Sequence, residues 1–318
     1  MSPAPAPLVL LVVAAVPLAA PERSRDEFHP FCNRPGRICG GPAEPAAEIR
    51  PSPITKRVKF IPASFSQADA VLRAASAWAL AYRGAVAFLI ADEEYRQARL
   101  DRAGAAVESR LLRGELFLTY LEADDAWIAV HDVTEMDGVP VADRQHFLQR
   151  IARGDELRGL ARQVAAHNAR FNLGGVSRNF NEPTLPLQLL DPDRAARLDV
   201  SVARIDRSPD RRLATLTYRE RGSPTLVRGP DGPIRARGEM VIDADTGQVH
   251  RTRFELRQGD VQAELVTTYG RDERLDAWVP LTFVERYEGS PDGRDETIVC
   301  EARYTNYRRF TVLARIKD

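Results

Sequence analysis

Side chains that could do chemistry are few in this sequence, and their spacing keeps them apart. Five histidines occur: His29, His131, His146, His167 and His250. No two stand at the spacing by which a helix or turn presents paired metal ligands. His131 is followed by Asp132, but successive strand residues point to opposite faces, so this neighbouring acid is out of its reach. Asp124, Asp125, Asp132, Glu135 and Asp137 crowd around one strand. A calcium site would need several of them converging as oxygen ligands, and the loop spacing of a calcium-binding hand is missing. They read as solvated turn residues. The phosphate loop, the G-x-S-x-G nucleophile elbow and the H-E-x-x-H zinc motif are absent from the sequence. Gly174-Gly175 has no lysine at phosphate-loop spacing and reads as a chain turn. The pattern predicts no catalytic residues, no metal and no cofactor.

Three cysteines remain: Cys32, Cys39 and Cys300. Cys32 and Cys39 lie close together in a proline-containing stretch. In an exported chain they form a small disulfide loop; otherwise they are two unpaired thiols. Cys300 shares its parity with Ile298, Ala302 and Tyr304 in a strand pattern, which predicts a buried, inert thiol.

The 318 residues carry 45 basic and 45 acidic side chains, a net charge of zero. Such a balance gives no electrostatic case for nucleic acid or an anionic membrane surface. With 44% apolar residues the chain can bury a core. Leu8 to Ala20 is an apolar run ending in small residues, too short to span a bilayer. It reads as a signal peptide over 1–20, with a cytoplasmic protein of odd N-terminus as the alternative, since no Lys or Arg precedes the run. Residues 21–62 hold eight prolines and read as a linker. The folded domain is then 63–318, in the periplasm or secreted.

The elements that must position any site are mostly strands. Ser64 or Ser66 caps a helix whose apolar face is Val71, Leu72, Ala75, Trp78, Ala79 and Tyr82, ending at Gly84. Val86, Phe88 and Ile90 then share one face of a strand. Leu112, Leu116, Leu118 and Tyr120 line one face of the next, and 126–134 is a third. Two helices follow, one at 144–153 capped by Asp143 and one over 157–171, then a short apolar helix at 184–190. From about residue 197 the chain alternates to its end, with Met240, Leu265, Leu281, Phe283 and Cys300 among the inward positions. This predicts an α+β fold, mostly antiparallel, with about ten strands in a curved open half-barrel. A helical insert at about 143–190 covers the concave face.

Several phrases carry a resemblance. They are Ala126-Trp127-Ile128-Ala129-Val130-His131-Asp132-Val133, Asp137 to Arg144, Arg170 to Gly174, Glu182-Pro183-Thr184-Leu185, and Ala302 to Phe310. Together they resemble a group of exported bacterial proteins abundant in acidobacteria, to which no activity attaches. The overall plan is also similar to the LolA and RseB lipoprotein-carrier fold, an unclosed barrel that binds acyl chains. That second resemblance lies in architecture, and no carrier ligand residue maps onto this chain.

The resulting expectation is a non-enzymatic binding protein for a lipid, acyl chain or other apolar ligand, touching membranes only transiently. Leu116, Leu118, Met240, Leu265 and Phe283 are the candidate concave wall, and a filled core is the competing reading of the same positions. An envelope interaction or sensory module, binding a protein through a sheet edge or loop 172–183, is one alternative. A hydrolase with dispersed acidic residues is another, and it requires a His–carboxylate or two-carboxylate pair converging in a pocket.

Overall fold

The structure is a computed structural model that describes residues 66–122, 125–176, 182–208, 211–229, 232–290 and 295–310. The expected signal peptide, the linker and the Cys32–Cys39 pair lie outside these residues. Among the described residues no helix is long and apolar enough to cross a membrane.

Helix α1 (Gln67–Ala85) begins as the sequence predicts. Ser66 accepts from the Asp69 amide, and Asp69 reaches back to the Ser66 amide, closing a capping box. Ala68, Val71, Ala75, Ala79 and Tyr82 form its buried face. Strands β1 (Leu89–Leu100), β2 (Ala106–Leu121), β3 (Ala126–Met136) and the two-residue β4 (Val139–Pro140) follow as antiparallel neighbours. After the helices come β5 (Leu198–Ser208), β6 (Arg211–Glu220), a small hairpin of β7 (Val227–Gly229) and β8 (Gly232–Ile234), and β9 (Arg237–Asp243). Strands β10 (Val249–Gln258), β11 (Val261–Asp272), β12 (Ala277–Gly289) and β13 (Glu296–Arg309) are the remaining strands among the described residues.

Eleven strands form one open antiparallel sheet in the order β4-β3-β2-β1-β13-β12-β11-β10-β9-β6-β5. This is the open half-barrel class the alternation predicts. Its inner face is buried across the interior strands: Leu116 and Leu118 on β2, Phe254 on β10, Leu265 on β11, Phe283 on β12 and Ile298 on β13 are each 0% exposed.

Two local parities differ from the sequence reading. Phe88 adopts a left-handed backbone (φ 55°) and is 44% exposed, so the strand starts one residue later. Leu89 and Ala91 then face inward, while Ile90 faces out. On β12 the register shifts where Tyr269 meets Pro280 and Thr268 meets Thr282, leaving Leu281 as the extra residue. A bulge of this kind resets the alternation, and Leu281 is 40% exposed instead of inward.

The helical insert is divided between the two faces, a correction to the expected single cover. Helices α2 (Phe147–Ala152) and α3 (Leu157–Asn168) pack on the outer face. There Phe147, Leu160 and Val164 join Ile90, Phe117 and Val130 in a second, smaller core. The inner face is covered instead by α1, by residues 171–176, and by a 3-10 segment (Leu185–Leu190) running into α4 (Pro192–Ala195). Between α3 and residue 171 the chain passes the outer edge of β3, where the Asn168 amide donates to the His131 carbonyl at 2.6 Å. That bond satisfies a carbonyl on a strand edge that β4 is too short to pair.

Asp143 does not cap α2. It is taken by Arg170 across the loop, which holds its carboxyl down at about 2. The first amide of α2, on Phe147, instead finds Asp132 at 3.1 Å. Asp132 is therefore no solvated turn residue: it is 3% exposed and also binds Arg144.

Candidate binding site on the inner face

The expected wall residues do share one surface. Leu116, Leu118, Met240, Leu265 and Phe283 all belong to the main core, and none is more than 2% exposed. They are brought together by strand alternation, and the chain's own cover lies over them. A ligand reaches them only if part of that cover moves.

Within this apolar face runs a polar seam that the sequence reading missed. Glu93 on β1 lies opposite Gly114 on β2 and Tyr304 on β13. Gly114 has no side chain, and a Cβ there would sit 2.6 Å from the Asp132 carbonyl. The Glu93 carboxylate passes over this gap to His131 on β3, with Nδ1 at 2.7 Å from Oε2. A glycine inside a strand pattern was the available signal, since it marks close backbone approach. The partner of His131 is thus a residue 38 positions away, where the sequence offered only Asp132.

The seam continues along the sheet. Tyr95 Oη donates to Glu285 at 2.5 Å and Tyr287 Oη donates to its other oxygen at 2.6 Å. Glu285 is completely buried. Two hydroxyl donors stabilise its charged form at a site where bare burial would be costly. Burial raises the Tyr304 hydroxyl well above its usual value, and the nearby carboxylates of Glu93 and Glu285 add to this.

The cover docks on the seam through hydrogen bonds as well as apolar contact. Pro183 O accepts from both Tyr269 Oη and Thr267 Oγ1 at 2.8 Å. Gln97, 1% exposed, donates to Phe171 O and accepts from the Leu173 amide. Arg83 on α1 and Arg194 on α4 share the Asp191 carboxylate, and both stand 3.6 Å from Asp125. Glu182 is half-buried overall, but its carboxyl is withdrawn from water. Desolvation pushes it up to about 8, against weaker help from Gln188 and His131.

Among the described residues, Tyr82 Oη, Tyr304 Oη, Thr184 Oγ1 and Gln188 Oε1 are buried at this junction with no hydrogen-bond partner. Each such atom costs about 1–3 kcal/mol. A cavity of about 20 Å³ lies beside the His131–Glu93 pair, lined also by Tyr95, Asn168 and Asn172. One water fills a space of that size. Among the described residues no group of three or more His, Cys, Asp or Glu is placed to hold a metal ion.

The fold and site define an open antiparallel sheet with a lined, covered inner face. No protein-family model and no curated protein matches the chain. Solved structures that it resembles include an outer membrane lipoprotein-sorting protein domain from Vibrio parahaemolyticus. That match has a TM-score of 0.33 at 11% identity, over 76% of this chain and 94% of that one. A DUF1329 family protein from Desulfovibrio piger gives 0.33 at 10% identity, over 76% and 95%. The MucA/MucB complex structure of Pseudomonas aeruginosa gives 0.18 at 11% identity, over 74% and 98%. Overlaps this loose carry no functional argument, and the site must be argued from its own residues.

Proposed function

We propose that this chain is an exported, non-enzymatic binding protein, periplasmic or secreted, that takes an apolar ligand between the inner face of its sheet and a movable cover. The carrying observation is the junction itself. An apolar wall of Leu116, Leu118, Met240, Leu265 and Phe283 is closed by a cover whose docking leaves those buried polar atoms unsatisfied. Groups of this kind call for an explanation. A cover that separates, or a ligand that supplies the missing partners, accounts for them.

Helix α1 is the part of the cover suited to move. Three of its five buried residues are alanines, so its contact face loses little apolar area on lifting. Its C-terminal end is tied down by Arg83 and by Tyr82, which packs against Trp127. Opening at the N-terminal end exposes the wall without breaking that anchor.

The test is native mass spectrometry of protein purified from the periplasm of an expressing bacterium, with lipid extraction alongside. A bound apolar species at defined stoichiometry is expected. A clean apo mass that gains nothing from added amphiphiles removes the reading.

One observation favours a second reading. His131 and Glu93 form the His–carboxylate pair that a hydrolase requires, and they border a cavity. The cavity admits a water but no substrate, so this reading ranks second. Hydrolysis of a test ester that is lost in His131→Gln, with folding intact, would reverse the order.

A further inference from the structure

At the rim of the inner face an arginine borders an apolar groove with no acid paired to it. Arg110 stands on the same stripe of β2 as Leu112, Leu116 and Leu118, opposite Gln97 of β1. It is half-buried and gives one N–H to the Phe171 carbonyl at 2.8 Å. A guanidinium carries five such donors and is always charged. Other arginines of these two strands are matched by acids: Arg99 by Glu108 at 3.1 Å and Arg113 by Glu135 at 2.9 Å. Among the described residues no carboxylate pairs with Arg110.

The groove measures about 370 Å³ and lies between Phe171 and the β3–β4 hairpin. That is within the range of about 300–1,000 Å³ typical of small-molecule sites. Met136, Val139, Pro140, Val141 and Phe171 make its lining largely apolar. Phe171 is 5% exposed and Val139 is 64% exposed, so the groove runs from the core to open solvent. Asp143 also lines it, but both of its oxygens are taken by Arg170, whose guanidinium carbon sits 4.6 Å from the centre of the Phe171 ring. Those two charges cancel. Arg110 leaves the groove with one uncompensated positive charge, and the complementary ligand is an anion on an apolar body.

An extended peptide fits less well. The Val141 N–H is spent on the Thr134 carbonyl at 3.0 Å. Pro140, turned the other way, has no N–H to give an added strand.

We propose that this groove binds a single-chain amphiphile with a carboxylate head. The head takes the remaining N–H donors of Arg110, and the chain lies over Met136, Val139, Val141 and Phe171. The groove is formed with the cover in place, so this site needs no movement of the cover and goes beyond the reading above.

Octanoate, octan-1-ol and octylammonium share one chain length and differ in charge. Each is titrated at neutral pH into the isotope-labelled full chain and read residue by residue by NMR. Octanoate is expected to shift the amides of Arg110, Val139, Val141 and Phe171. It should bind at least about tenfold more tightly than octanol, the worth of a hydrogen bond to a charged group. Octylammonium should be the weakest. Arg110→Gln should bring octanoate down to the level of octanol. Val139→Glu changes a position that is 64% exposed, so it folds as the parent does, and it should weaken octanoate by placing like charge in the groove. If Arg110→Gln fails to fold, the Val139 variant carries the test. Octanoate binding no tighter than octanol, or undiminished in a folded variant, overturns the proposal. So does the absence of shifts from all three probes. Shifts along the wall at Leu116, Leu265 and Phe283 with the groove silent overturn it too, and leave the apolar-ligand reading standing.

Discussion

Single residues decide the character of the inner face, and the decisive ones were hidden in the sequence by distance. His131 reads as isolated because its partner Glu93 lies one β2 strand away, across Gly114. Alternation correctly gave Leu265, Phe283 and Cys300 their inward positions, because period two needs only local sequence. It could not give Glu285 a role, since its two tyrosine donors had first to be brought to it by the fold. The acidic cluster shows the same limit. Asp132 shares its composition with exposed neighbours, yet it is the buried member that satisfies α2. Glu182 yields a pH prediction. Its carboxyl sits near 8 in the fold against 4.5 unperturbed. Between these values the folded chain holds a proton that the unfolded chain releases. Stability contributed by this group therefore falls as pH rises from about 5 to 8 and is fully lost above that. Urea midpoints across that range should decline in the parent and be flatter in Glu182→Gln. An identical slope in both would show that this carboxyl is not buried as described.

At the scale of elements, strands were more legible than helices. Most strand positions follow from alternation, and the two errors of parity arose at Phe88 and Leu281, where one residue is added without any change in composition. Helices α2 and α3 were found as amphipathic, but amphipathicity says only that a face is buried, not which side of the sheet buries it. Their partners Phe117 and Val130 alternate with inward residues and looked like ordinary outward positions. The cover is held to the sheet by a shared carboxylate, which makes a second prediction. Asp191→Ala leaves Arg83 and Arg194, both nearly buried, with only the more distant Asp125. Removing one partner of a buried ion pair costs about 3–5 kcal/mol. Chemical denaturation should register that loss, and hydrogen exchange in the last turn of α1 should quicken. Unchanged exchange there would show that α1 is held by its packing alone. A third prediction concerns the other end of α1. Ser66→Ala removes the capping box and should cost about 1 kcal/mol, with faster exchange at the N-terminal turn.

For the whole molecule, the sheet order matters more than any one contact. Strands β1 to β4 form one block and β5 to β12 another, and in the main sheet only β13 joins them, paired to β1 on one side and β12 on the other. Neither the block structure nor the joint could be read from alternation, which fixes faces and leaves neighbours open. Strand β13 also follows every other strand of the main sheet in sequence. Until residues 296–309 leave the ribosome, two half-sheets wait with raw edges and nothing to close them. The order of delivery and the order of assembly are thus opposed: what arrives first must be held for what arrives last. A sheet arranged this way joins its two halves only when the strand delivered after all the others takes its place between them.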